Sequence, residues 1–248
     1  ETGEIDMNVL AMDTSTEVQS VALSVESGPR AIGIEMTRDL GLHHARTLMS
    51  LVDTILRDAG IGPSELDLVA CMRGPGSFTG LRIGMATAKG LAMAIRSKRT
   101  LAAPPIVSVP TLRVMAYPFL ATPSLVIPVI DGKKGRFYCT LFQNGRSITE
   151  DLDIAPRDLL PHLRAALANE PAEHPRASSV VVTGPHADRF VRELDGSVDL
   201  LLDPLHRRGH APALLRCARS VYAEVGADEA AQGPEYIRGS DAELSREQ

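Results

Sequence analysis

Two hydrophobic periods alternate along this chain. Apolar runs with a two-residue repeat fill the first forty residues, and three- and four-residue spacings then take over. Val9 to Met12, Ser20 to Val25 and Ala31 to Met36 read as strands, joined by the polar turn Asp13-Thr14-Ser15-Thr16 and by Ser27-Gly28-Pro29. Ala45, Leu48, Met49, Val52, Ile55, Leu56 and Ala59 fall at helical spacing, and the segment ends at Gly60, which suits a left-handed cap. Leu68 to Met72 is a fourth strand, Thr79 to Ile95 a helix, Ile106 to Val109 a fifth strand and Thr111 to Phe119 a short helix. The order βββαβαβα predicts an α/β layer architecture.

The second half repeats that order. Leu125 to Ile130, Phe137 to Phe142 and Ser147 to Ile154 predict another meander, turned by Asp131-Gly132-Lys133-Lys134-Gly135 and Asn144-Gly145-Arg146. Asn-Gly is a specific hairpin signal, because both central positions of a type I′ turn need positive φ. A helix from Arg157 to Ala168, a proline-rich loop through Pro175, a strand from Ser179 to Thr183, a helix near Asp188 to Leu194, a strand at Leu200 to Leu202 and a helix from Ala211 to Ala223 follow. The expected division is a first lobe over 7–119 and a second over 120–248, with a joint near Pro118 to Pro123. Residues 1–6 read as a leader or tag remnant before a start at Met7, and a polar tail begins around Gly239.

Composition narrows the function classes. A chain of 248 residues buries enough surface to fold without staples. Three widely spaced cysteines indicate neither a disulfide framework nor a zinc cluster, and a reducing cytoplasm is the expected location. No apolar run approaches the ~20 residues that span a bilayer. Net charge is −5, or −2 without the three leader acids, and there is no tryptophan. Such a chain lacks the basic field and stacking platform of an independent nucleic-acid binder, so any RNA is expected to be reached through a partner.

The most informative stretch is Arg73-Gly74-Pro75-Gly76-Ser77-Phe78-Thr79-Gly80-Leu81-Arg82-Ile83-Gly84, a strand-to-helix corner. Backbone N–H groups at a helix start suit a phosphate, so Gly74, Gly76 and Ser77 are candidate anion ligands. The same glycines also serve a sharp corner with close helix packing. Asp13, with Thr14 and Ser15 behind it, is a candidate for a hydrated magnesium ion near a nucleotide phosphate, or for the cap of a hairpin turn. No Walker A sequence is present. Gly80, Gly84, Ala88 and Ala92 recur every four residues and leave one helix face without bulk. His43 and His44 are adjacent and cannot share a metal as an i, i+4 pair would. His206 and His210 have that spacing without an acidic or thiol neighbour. No activated serine or cysteine is evident. Lys133, Lys134 and Arg136 form a small basic cluster beside a turn, either solvated or facing a partner's acids.

Taken together, Val9-Leu10-Ala11-Met12-Asp13-Thr14-Ser15, the Gly74 to Gly84 loop, Ala88-Lys89-Gly90-Leu91-Ala92 and Tyr236-Ile237-Arg238 resemble the TsaB (YeaZ) family, over nearly the whole chain from Met7. The resemblance implies the two-lobed fold of the actin, sugar kinase and heat-shock protein (ASKHA) class, each lobe with a βββαβα core. It implies a non-catalytic role in making threonylcarbamoyladenosine in tRNA, with the catalytic paralogue TsaD and the ATPase TsaE as partners and self-association as a homodimer when alone. Where TsaD holds its metal through two histidines, this chain has Thr111 and Met115, so no metal is expected. No cofactor is expected to be required by this chain, with ATP and magnesium a matter for the complex. The helical interface expected from it comprises Leu48, Met49, Val52, Ile55, Gly84, Ala88 and Ala92, although both stripes also suit packing on the chain's own sheet. The alternatives are a free-standing ATP-dependent kinase or ATPase using Asp13 and the glycine loop, and a glycoprotease-like metalloprotease.

Overall fold

The first sheet begins as a meander because β1 (Val9–Asp13), β2 (Val18–Ser27) and β3 (Arg30–Asp39) are joined by turns short enough for antiparallel pairing. In this computed structural model, which describes residues 7–27, 30–39, 41, 43–168, 179–194 and 198–238, helices α1 (His44–Ala59) and α2 (Phe78–Ala94) then return the chain for the parallel strands β4 (Leu68–Gly74) and β5 (Ile106–Pro110). The strand order is β3-β2-β1-β4-β5. Gly60 caps α1 at φ 71°, as its sequence position predicts. The leader 1–6, the turn at Gly28-Pro29, the proline-rich loop at 169–178 and the tail from Gly239 lie outside the described residues.

A second sheet repeats this plan. Its strands are β6 (Leu125–Lys133), β7 (Arg136–Cys139), β8 (Phe142–Gln143), β9 (Arg146–Ser147), β10 (Leu152–Ile154), β11 (Val180–Thr183) and β12 (Leu200–Leu202). Its main path, β10-β7-β6-β11-β12, has the same third-second-first-fourth-fifth order as the first sheet. The expected strands Phe137 to Phe142 and Ser147 to Ile154 are each broken in two. Thr140 Oγ1 donates to Asp151 at 2.5 Å and the Leu141 N–H to Thr149 Oγ1 at 3.0 Å, so side chains take bonds that a continuous ladder would use. Asn144 and Gly145 take φ 51° and 78°, the pair of left-handed residues that the Asn-Gly signal requires. The helix expected from Arg157 opens as a 3-10 turn at Pro156–Leu159 and continues as α4 (Leu160–Ala168), and α5 (Ala187–Glu193) follows β11.

The chain divides into two compact units, but not at residues 119 and 120. One unit runs through Thr111 and takes back Gly209–Glu235; the other holds Leu112–Arg208 and the residues from Tyr236. Two buried faces explain the difference. On α3 (Thr111–Ala116), Leu112, Met115 and Ala116 pack with Val126, Ile130 and Phe142, which commits that helix to the second unit. On α6 (Ala211–Glu224), Leu214, Cys217 and Ala218 are buried, and the helix packs on β1, β2, β4 and β5 of the first sheet. Leu10, Met12, Val69 and Cys71 point instead into the core shared with α1 and α2. Strands β1 and β4 are therefore covered on both faces, which is why they read as unbroken apolar runs. The second core is built on Leu125, Ile127, Val129, Leu163 and Val182, with Phe137 edge-on to Phe190 at 5.2 Å.

Candidate functional site

Strand β1 ends at Asp13, where the chain must turn at once. The Ser15 N–H and Oγ both donate to Asp13 Oδ1, at 2.9 and 2.6 Å, so the carboxylate caps its own turn. The turn is then seated on the start of α2. The Ser77 N–H donates to the Ser15 carbonyl at 2.6 Å, and Thr14 Oγ1 donates to the Gly80 carbonyl at 2.7 Å. Ser77 caps α2 by accepting the Gly80 N–H on Oγ at 3.2 Å.

The glycines are explained by this docking. A Cβ on Gly76 would lie 2.5 Å from the Ser15 carbonyl oxygen, one on Gly80 would run into the Thr14 carbonyl, and one on Gly84 into Thr14 Oγ1. Asp13, Thr14 and Ser15 are 0, 2 and 0% exposed. The candidate anion ligands Asp13, Thr14, Ser15, Gly74, Gly76 and Ser77 are thus brought together, with the Ser77 and Gly80 donors already engaged inside the chain. Those two donors are therefore not open to a phosphate. Among the described residues the buried Asp13 Oδ2 accepts no hydrogen bond. Burial pushes the Asp13 carboxyl up to about 6, against the lowering effect of the Ser15 bonds and the nearby His210 N–H.

The expected partner interface is corrected in the same way. Leu48, Val52, Ile55 and Ala88 belong to the first core, Gly84 faces Thr14, and Ala92 is 5% exposed. A helix that lies on a sheet buries its small and branched stripe there, so these six are core residues. Met49, at 50% exposed, is the exception, and Met93 on α2 is 85% exposed.

Gly74 has another role, which local sequence did not reveal. It sits at φ 130°, and its missing side chain leaves room for the Glu235 carbonyl. Residues 226–235 form a strap along the first unit. The Asp228 N–H and carboxylate bond the Ile106 carbonyl and the Ser108 N–H, both at 2.8 Å, on edge strand β5. Lys89 Nζ donates to the carbonyls of Ala230 and Gln232 at 2.8 Å each, and the Glu235 N–H to the Arg73 carbonyl at 2.8 Å. The one available signal was a lone lysine among small residues on α2.

In the second unit Asp131 lies near the end of β6, much as Asp13 ends β1 in the first. Its carboxylate accepts the Lys133 N–H at 2.8 Å and Nζ at 3.2 Å, and Arg189 Nη1 at 3.0 Å. Burial alone would raise its pKa, but the Lys133 bonds and the Lys133 and Arg189 charges outweigh that and hold it below the usual carboxylate range.

Thr111 and Met115 lie one turn apart on α3, both 0% exposed. A thioether in an apolar core is no ligand for a hard catalytic ion. His206 and His210 do not share a helix: His206 Nδ1 lies 3.0 Å from the Asp203 carbonyl, whereas His210 is the residue preceding α6. Among the described residues no group of three or more His, Cys, Asp or Glu is placed to hold a metal, and no helix is long and apolar enough to cross a membrane.

The family model of TsaD, tRNA N6-adenosine threonylcarbamoyltransferase, matches residues 38–197. The tRNA threonylcarbamoyladenosine biosynthesis protein TsaB of Bacillus subtilis is 30% identical over 146 residues, covering 59% of each chain, and that of Escherichia coli 34% identical over 139 residues, covering 55% of each. The matched stretches span somewhat over half the length of these curated relatives. The solved structure of YeaZ from Pseudomonas aeruginosa superposes with a TM-score of 0.70 at 27% identity, covering 93% of this chain and 100% of that one. With well over half of its length matched by the family model and this fold shared throughout, the chain belongs to the TsaD family, on its TsaB/YeaZ branch.

Proposed function

We propose that this chain is a non-catalytic subunit of the assembly that makes threonylcarbamoyladenosine in tRNA, binding a catalytic TsaD-type partner and working with the ATPase TsaE. The names of its TsaB relatives support the pathway. The observation that carries the non-catalytic part is α3, where Thr111 and Met115 stand in place of a histidine pair, both fully buried and Met115 within an apolar cluster. Asp13 and Asp131 support it too, because each carboxylate is engaged by its own turn. In this reading ATP and magnesium act on partner subunits, and tRNA is reached within the complex.

The partner-binding surface is revised to the outward faces of α1 and α2 around Met49 and Met93, where exposed methionines offer adaptable apolar contact. The same face serves self-association when no partner is present. Size-exclusion chromatography of the chain mixed with its TsaD-type partner should give a stable complex. Threonylcarbamoylation of a tRNA transcript should require this chain. Failure of both would end this reading, as would threonylcarbamoyl transfer by the chain alone.

A further inference from the structure

The sulfur atoms of this chain are distributed unevenly. Met7, Met12, Met72, Met85 and Met115 are buried, and Met36 packs against the first core. Met49 on α1 and Met93 on α2 are the two exposed methionines of the eight, and all three cysteines are buried. Burial pushes the Cys71 and Cys139 thiols up to about 12, so neither offers a thiolate to an oxidant. A soluble oxidant therefore meets thioethers first, on the outward faces of two neighbouring helices.

Each of these helices depends on that one side chain for apolar contact. The other exposed residues of α1 include Arg46, Ser50, Asp53 and Arg57, and those of α2 include Arg82, Ala86 and Gly90. Neither helix exposes another large hydrophobic residue. Methionine is not required at either place by the helix or by the core, because leucine has nearly the same helix propensity and volume and gives the same kind of contact. What the thioether adds is reactivity toward oxidants.

We propose that Met49 and Met93 are sulfoxidation sites through which peroxide controls docking of this chain, an inference that rests on the reading that the outward faces of α1 and α2 meet the partner. The sulfur lone pair attacks one oxygen of hydrogen peroxide and the O–O bond breaks. That oxygen stays on sulfur, and the other leaves as water with both hydrogens; sulfur gives up an electron pair and the peroxide takes it. The product is a strong acceptor where the contact had been apolar, and docking then buries it without a donor. Both side chains stand in solvent, so the added oxygen leaves the first core undisturbed. Docking in turn covers both sulfurs and shields them from peroxide, and methionine sulfoxide reductases return the free chain to its docking form.

The test treats the whole chain with hydrogen peroxide and maps oxygen uptake by peptide mass spectrometry. Met49 and Met93 should be oxidised about tenfold faster than the other methionines, with the thermal midpoint unchanged. Affinity for the TsaD-type partner should fall about tenfold and return on treatment with the reductases for both sulfoxide epimers. In the preformed complex the same peroxide should leave both methionines reduced. The double variant Met49→Leu with Met93→Leu, whatever affinity it starts from, should lose less than about twofold on peroxide treatment. Uptake spread evenly over buried and exposed methionines would overturn the proposal, as would a leucine variant that loses docking to the same extent as the unaltered chain. If the untreated chain docks and oxidation leaves its affinity unchanged, this inference falls and the subunit reading stands. If the untreated chain does not bind its partner at all, the subunit reading falls and the docking control falls with it, while the peptide map still decides the modification sites.

Discussion

Asp13 and Asp131 stand at matching places in two copies of one topology, each near the end of the central strand that pairs antiparallel on one side and parallel on the other. Around Asp13 the protein closes. The turn seats itself on glycines of α2, and burial drives the carboxyl toward its neutral form. Around Asp131 it opens. Lys133 and Arg189 hold that carboxyl ionised beneath a rim of cations. A shared strand order therefore does not fix the electrostatics of a turn. What the opposite element presents, glycine carbonyls or guanidinium groups, decides whether the position becomes an internal joint or a charged surface.

The strongest way to break this comparison is to fill the joint. Gly80→Ala drives a methyl group into the Thr14 carbonyl and should cost about 3 kcal/mol, read as a lowered urea midpoint. A neutral effect would mean that the turn is not docked as described. Ala88→Glu, at 0% exposed, should likewise cost several kcal/mol of folding stability, whereas Met49→Glu should leave stability within about 0.5 kcal/mol and weaken association with the partner or with itself at least tenfold. Loss of association in Ala88→Glu with full stability would restore the small-residue stripe as the interface.

The two aspartates should also respond to pH with opposite sign. Asp13 is raised from 3.8 to about 6, so its folded form holds the proton more tightly; its stabilising contribution is present below about pH 4 and lost as pH rises through 6. Relative to Asp13→Asn, the unaltered chain should lose about 3 kcal/mol of unfolding free energy across that window. Asp131 is lowered, so its contribution is present above the unfolded value of 3.8 and lost as pH falls below it; Asp131→Asn should remove that acid-side loss. Denaturant titrations of the three proteins from pH 3 to 7 check both signs, and parallel curves would refute the contrast. The smallest effect belongs to the strap. Lys89→Ala should cost about 1 kcal/mol and admit protease cleavage between residues 226 and 235.

Local sequence by itself determined the alternation of strands and helices, the duplicated α/β plan, the Gly60 cap and the Asn144-Gly145 turn, because each depends on residues close in sequence. That positions 111 and 115 hold a threonine and a methionine, neither a ligand for a hard metal ion, was equally legible, since it is a matter of residue identity. Packing decided the rest. Whether Gly76, Gly80 and Gly84 cradle a phosphate or receive Thr14 and Ser15 turns on what stands opposite them, more than sixty residues away. Nor could sequence show that α3 joins the second unit, that α6 returns to the first, or that Gly74 makes room for Glu235, because an apolar helical face specifies that it will be buried and not against which sheet.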